Sequence, residues 1–340
     1  MNVGTKSFGK QTLKILNKQK AIIAIGVLLF VMIFSDSNIF TRAHLNALLV
    51  VASPDLIIGF GVTLAVICKG CDLSVGSVMS MSGILAIMMV NSGMPVFLAI
   101  FLAILSGSAV GFINGFLIVH QKTEAFIITL GMGLFVKGIA LYITNARPVS
   151  TQVEEFNIIS NFNILDGTIL EDTVLNLPSI AVYMLIIGAL IYCLMRFTSF
   201  GRNCYALGGD YEVAEHSGIN VVRTKWVAFI ITGTCAAIAG VLLASRYNTG
   251  SPIYGDLTPL LVNCSVVIGG TSFAGGIGGV VQSGIGIMVM HLLRYCMRLF
   301  RIDGVISAIS PFAQTLVFGI VIVTIIAMDC YSIKRKKEDV

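Results

Sequence analysis

Charged side chains are scarce in this sequence. They make up 11% of its 340 residues, against roughly 25% in a soluble domain. So little charge cannot cover a water-facing surface, which excludes a soluble globular fold. The chain has apolar residues instead, 56% of the total, and a mean hydropathy of +0.93. They fall in long runs separated by short polar clusters, the pattern of repeated membrane crossings.

Catalytic signatures are missing too. No G-x-x-x-x-G-K-[ST] occurs, so the chain holds no P-loop and nucleotide hydrolysis is not expected of it. There is no H-E-x-x-H and no Gly-x-Ser-x-Gly turn. His44, His120, His216 and His291 stand far apart. Nothing here points to an enzyme, a cofactor, a metal or a nucleic-acid partner. The eight cysteines include a Cys-x-x-Cys at Cys68 and Cys71, but no second pair and no nearby histidine completes a metal set. Cys193, Cys235, Cys264 and Cys296 lie in or beside apolar runs and read as small apolar fillers.

Ten apolar segments can be drawn, at 21–40, 45–68, 73–92, 95–119, 124–145, 178–196, 226–245, 258–271, 279–299 and 305–328. The expected fold is an all-α integral membrane protein of about ten helices. The whole of 1–340 reads as a single transmembrane domain, embedded from about 21 to 328. The run at 258–271 is short for a span of about 20 residues and suits a half-helix. Lys6, Lys10, Lys14, Lys18 and Lys20 precede the first run, with no clear cleavage site after it, so a first span rather than a removed signal is expected. Lys334, Arg335, Lys336 and Lys337 make the tail basic. Both termini are therefore expected in the cytoplasm, and this topology puts 15 of the 22 basic residues inside. Arg294, Arg298 and Arg301 fit it least well.

Two loops exceed a simple turn. The acidic loop 146–177 carries Glu154, Glu155, Asp166, Glu171 and Asp172 and reads as outside. The loop 197–225 carries Arg202, Arg223 and Lys225 and reads as inside. Small residues at four-residue spacing, as at Gly107, Gly111 and Gly115, allow close helix approach in lipid, or also broken helices and motion between two packings. Cys71-Asp72-Leu73-Ser74 is faintly echoed by Gly255-Asp256-Leu257-Thr258, which admits an inverted repeat. Lys137 and Asp55 are charges within apolar runs, either functional or internally paired. Pro54, beside Asp55, is expected to break its helix.

Within the inside loop, Asp210 can cap a short helix from about Tyr211 to Ser217, and Gly218 can end it. Several stretches carry a resemblance. They are Asp72-Leu73-Ser74-Val75-Gly76, Asn114-Gly115, Phe126-Ile127-Ile128-Thr129-Leu130-Gly131, the loop from Phe200 to Asn220, and Val267-Ile268-Gly269-Gly270-Thr271-Ser272-Phe273. Together they resemble the permease subunits of bacterial sugar-type ABC importers, the ribose, galactose and xylose group. Glu124 stands where that family commonly has proline, and Cys71 where a hydrophobic residue or threonine is usual.

The resemblance implies a ten-span importer fold in the inner membrane, a second permease copy, ATPase subunits docked on the inside loops, and an extracytoplasmic sugar-binding protein. A membrane subunit without a P-loop must receive work through contact. Arg202, Ala206, Leu207, Gly208, Gly209, Asp210, Glu212, Glu215 and Gly218 are the candidate coupling residues. Asn114, Thr129, Asn145 and Asn263 are candidate path residues, able to meet a hydroxyl-rich solute or to bond between helices. The rivals are an ion-coupled secondary transporter, a membrane enzyme and a branched-chain amino-acid permease.

Overall fold

A computed structural model describes residues 41–121, 123–163 and 176–299, together with 316, 319, 320 and 323. Apart from two short strands, the named elements are helices. They are α1 (Arg42–Ile67), α2 (Val75–Asn91), α3 (Val96–His120), α4 (Ala125–Thr144), β1 (Val149–Ser150), α5 (Glu154–Asn161), α6 (Ser179–Phe197), α7 (Ser199–Gly209), α8 (Tyr211–His216), α9 (Val221–Tyr247), β2 (Thr249–Gly250), α10 (Thr258–Ile268) and α11 (Val280–Leu299).

Six helices, α1, α3, α4, α6, α9 and α11, are long and apolar enough to cross a membrane; α2 and α10 are apolar but shorter. At 11 residues α10 is about 16 Å long, roughly half a bilayer core. Eight of the ten expected segments are present as helices, most of them within a few residues of their expected limits. The segment 21–40 lies outside the described residues, as do all but four residues of 305–328.

The helices are apolar on most sides, so their ends are set by capping and by residues that cannot continue a helix. Asn145 and Asn248 close α4 and α9 in the left-handed region, at φ 49° and 52°. Asn220 starts α9 by accepting the Arg223 N–H at 2.9 Å. Pro95 and Pro178 precede α3 and α6, where a missing N–H costs nothing. Pro54 does not break α1, contrary to expectation. It sits in the most buried of the long helices, where neighbouring helices and nearby hydroxyls can satisfy the backbone groups that a proline frees. The Ser53 hydroxyl donates to the Leu49 carbonyl at 2.6 Å just before it.

α1 and α9 form the centre, and α3 lies against α9 through a seam of small residues. A Cβ on Gly111 would fall on the Phe229 carbonyl oxygen, and one on Gly233 would fall on that of Gly107. The four-residue glycine spacing therefore serves backbone-to-backbone contact, as expected. Ser108 and Thr234 add a hydroxyl pair at 2.7 Å across the seam. The opposite sides of α3 and α4 expose Phe97, Phe101, Leu134 and Phe135, as surfaces bathed in lipid do.

The helices end on two faces. On one, β1 pairs antiparallel with β2, Val149 opposite Gly250. There α5 lies over the ends of α2, α3 and α9, with Phe156 fully buried among Ala86, Ala99, Ala103 and Val241. Arg246 fixes α5 by donating to Asn161 Oδ1 at 2.7 Å. The other face carries α7, α8, the start of α9 and the glycine-rich turn before α11.

Candidate functional site

The first polar cluster surrounds the connection from α1 to α2. After Cys68, the backbone of Lys69 enters the left-handed region at φ 55°, and the chain turns back into the bundle. Asp72, Ser74, Asn114, Thr129 and Asn263 are all buried there. Asp72 Oδ1 accepts the Ser74 N–H at 2.8 Å and the Ser74 hydroxyl at 2.6 Å. Asn114, on α3, donates to the Ser74 hydroxyl at 2.9 Å. Thr129, on α4, accepts the Leu73 N–H at 3.1 Å, and its own hydroxyl reaches the carbonyls of Cys71 at 3.1 Å and Ala125 at 2.9 Å. Asn263, on α10, donates to the carbonyls of Asp72 at 3.0 Å and Pro259 at 2.8 Å. The Cys71 thiol donates to Asn263 Oδ1 at 3.3 Å, so one of the two residues that depart from the expected pattern has a partner in this cluster.

Three of the four candidate path residues thus converge on one seven-residue connection, 68–74. Each spends polar atoms on joining helices. Asp72 Oδ2 and Asn114 Oδ1 are buried acceptors without a partner among the described residues. Asn145 is not with them: it caps the far end of α4, about 24 Å along the helix from Thr129.

α2 and α10 cross antiparallel beside this turn. Asp72 meets the middle of α10 at Asn263, while Gly76 and Ser80, further along α2, meet the segment before α10. The Gly255 N–H donates to the Ser80 hydroxyl at 3.1 Å. A Cβ on Gly76 would fall on the Gly255 carbonyl oxygen, and one on Gly255 on that of Gly76. The two echoed tetrapeptides therefore start two short helices that lie against each other.

Two ion pairs answer the question of intramembrane charge. Lys137 Nζ lies 2.7 Å from Asp256 Oδ1. Asp55 Oδ2 lies 3.0 Å from His291 Nε2, an ion pair whenever His291 carries its second proton, though the atoms are not aligned as a hydrogen bond. A cavity of about 280 Å³ opens between them, lined by Asp55, Ile253, Tyr254, Asp256, Leu257, Thr258, Leu261 and Arg294.

The second candidate region is the α7–α8 elbow. Asp210 caps α8, accepting the Val213 N–H at 3.1 Å, and Gly218 ends it at φ 79°. The elbow sits against the core through its inner side. Cys204, Leu207, Gly208 and Ala214 are buried. A hydrogen bond to Cys68, together with burial, pushes the Cys204 thiol well up, away from a reactive thiolate. The Gly276 N–H donates to the Ile67 carbonyl at 3.0 Å, Lys69 donates to the Gly209 carbonyl at 3.3 Å, and the Tyr205 hydroxyl donates to the Gly278 carbonyl at 2.9 Å. Of the candidate coupling residues, Leu207 and Gly208 face inward and Ala206 is half-buried. Arg202, Gly209, Asp210, Glu212, Glu215 and Gly218 are exposed, as are Tyr211 and Val213, which nothing in the sequence singles out. Arg202 lines a cavity of about 520 Å³ with Arg196, Tyr205 and Gln282.

Residues 44–328 match a family described as branched-chain amino acid transport system / permease component. The chain belongs to this permease family. It is similar to the ribose import permease protein of Haemophilus influenzae, 31% identical over 318 residues that cover 94% of each chain. The D-allose transport system permease protein of Escherichia coli is 31% identical over 309 residues, 91% of this chain and 89% of its own. The galactose/methyl galactoside import permease protein of the same organism is 28% identical over 343 residues, covering 96% and 98%. No solved structure matches the chain. The resemblance to sugar-type importer permeases, carried by the motifs around Asp72, Asn114, Thr129 and the 200–220 loop, is thus borne out.

Sequence reasoning about this permease missed the partners rather than the charges. Asp55 and Lys137 were legible as costly intramembrane groups, but His291 lies 236 positions from Asp55, and Asp256 lies 119 from Lys137. The one available signal was opposite charge in distant apolar runs, which does not say which run faces which.

Proposed function

We propose that this chain is the membrane-spanning permease subunit of an ATP-binding-cassette importer, and that it passes a monosaccharide inward. The observation that carries this reading is the near full-length similarity to import permeases named for ribose, allose and galactose. The family description names branched-chain amino acids, but the individual relatives that align from end to end are named for sugars. That makes an amino-acid permease, an ion-coupled carrier and a membrane enzyme the weaker readings.

In this proposal the chain is one domain of ten spans with both termini cytoplasmic. The antiparallel crossing of α2 and α10, each opened by an Asp-Leu-Ser/Thr step, supports an inverted repeat of the two halves. A second permease copy completes the pore, an extracytoplasmic binding protein delivers the sugar, and a separate ATPase subunit docks on the α7–α8 elbow. Arg202, Ala206, Leu207, Gly208, Gly209, Asp210, Glu212, Glu215 and Gly218 form that elbow. Leu207 and Gly208 seat it against the core, and the exposed residues meet the ATPase. Asn114, Thr129 and Asn263 hold the turn at the start of α2 beside the path, and the unpartnered acceptors Asp72 Oδ2 and Asn114 Oδ1 suit a passing hydroxyl. Asn145, at the other end of α4, stands apart from this group.

The test is reconstitution of the permease with its ATPase and binding protein in proteoliposomes. Uptake of labelled ribose, allose or galactose that requires ATP is the expected result. Uptake driven by a proton or sodium gradient without the ATPase, or uptake of leucine and no sugar, would overturn the proposal.

A further inference from the structure

The cavity between α1, α10 and α11 is built unlike the rest of the bundle. Its floor comprises Asp55 from α1, Thr258 and Leu261 from α10 and Arg294 from α11. Its mouth comprises Ile253, Tyr254, Asp256 and Leu257 from the turn before α10. Two carboxylates and one guanidinium in a single cavity are costly in a membrane protein and point to a site. At about 280 Å³ it lies just below the roughly 300–1,000 Å³ range of pockets for drug-sized ligands, which suits a small solute.

Both carboxylates in this cavity have a basic group beside them. Asp256 is held by Lys137 at 2.7 Å, and Asp55 is approached by His291 at 3.0 Å. Arg294 adds a cation to the lining of the same cavity. Lys137 already neutralises Asp256, so an incoming ammonium gains less from that carboxylate than from a bare one, whereas a hydroxyl needs only an open acceptor position. Each carboxylate offers about four acceptor positions, of which the present pairs use few, and a guanidinium offers five donors. The Tyr254 ring, 40% exposed at the mouth, gives the C–H face of a sugar ring an apolar surface, and Ile253 and Leu257 extend it.

We infer that the cavity lined by Asp55, Tyr254, Asp256, Thr258 and Arg294 is a binding station for an uncharged polyhydroxylated solute on its way through the permease. The inference rests on the sugar-import reading above. The carboxylates accept from solute hydroxyls, Arg294 donates to the ring or hydroxyl oxygens, and the balanced charge disfavours sugar phosphates. Lys137 and His291 act as positioning residues that orient the two carboxylates and need not touch the solute.

The experiment uses the complete importer in proteoliposomes at saturating loaded binding protein, so that the binding protein's own affinity drops out. The readout is labelled ribose, allose or galactose imported per ATP hydrolysed, with leucine as a separate arm. Asp55→Asn and Arg294→Gln each remove hydrogen bonds to a charged group. The expected result is a fall of about ten-fold in sugar per ATP while hydrolysis continues. A purely structural role would lower import and hydrolysis together. Melting temperatures of the purified variants separate a lost site from a lost fold. Should both charge variants fail to assemble, Thr258→Val carries the test with a smaller fall of the same kind. Wild-type sugar import with unchanged coupling in the variants overturns the inference and leaves the sugar-import reading standing. Import of leucine and no sugar by the wild type overturns both.

Discussion

Gly208 rests directly on Ile67: a Cβ at Gly208 would coincide with the Ile67 carbonyl oxygen and crowd the Gly276 backbone. At the neighbouring Gly209 a Cβ would stand in open space, with nothing within 4 Å. Two adjacent glycines of one motif thus have different duties. One seats α7 on the end of α1, and the other faces outward.

Substitution should separate them. We predict that Gly208→Val lowers the stability of the permease itself, because backbone atoms must move; overpacking of this kind typically costs about 1–3 kcal/mol. Gly209→Val should leave the melting temperature in detergent unchanged but reduce co-purification with the ATPase. Equal melting temperatures for both variants would contradict the seating of α7.

The outward charges make a second prediction. Glu212 and Glu215 lie three positions apart on α8 and are exposed, so they share one side of the helix. Glu212→Lys and Glu215→Lys should not destabilise the permease, since surface substitutions usually stay within about 0.5 kcal/mol. Under the docking proposal they weaken ATPase association, and more so as a pair. Intact association and normal uptake in the double variant would remove α8 from the contact.

The polar turn yields a third. Thr129→Val removes the acceptor for the Leu73 N–H and the donor to Cys71 or Ala125. The expected cost is about 1–3 kcal/mol, because the part-buried Leu73 N–H loses its acceptor. Thr129→Ser keeps the hydroxyl and should recover most of it. A valine variant as stable as wild type would show that the turn does not depend on this bond.

Orientation is the fourth. Cysteine at Glu155, exposed on α5, should react with an impermeant maleimide in intact cells, whereas cysteine at Glu212 should react only after the membrane is opened. The reverse pattern would invert the proposed topology.

Much of the helical layout was legible in the sequence, because apolar runs in a membrane protein leave few alternatives. The run at 226–245 begins earlier as α9, at Val221. Arg223 and Lys225 lower the local hydropathy, but the Asn220 cap starts the helix before them. The α8 limits followed from Asp210 and Gly218, two local signals with fixed stereochemistry. Other features were hidden because they depend on which helices are neighbours. Nothing near Pro54 announces that α1 continues through it among the surrounding helices. Asn114, Thr129 and Asn263 looked equivalent to Asn145 as isolated polar groups, and only the fold shows three of them around Asp72. The β1–β2 ladder was likewise out of reach, since two residues on each side carry no periodicity.

The α3–α9 seam has a mechanical consequence. Where Gly107 and Gly111 meet Gly233 and Phe229, backbone touches backbone, with almost no side chains between to rearrange. A contact of this kind has few rotamers to rearrange, so α3 and α9 are held at a fixed, short separation. Since α8 leads into α9 through only Ser217–Asn220 and α9 runs on to β2, the docking proposal gives the ATPase, through α9, a direct covalent link to the β1–β2 ladder.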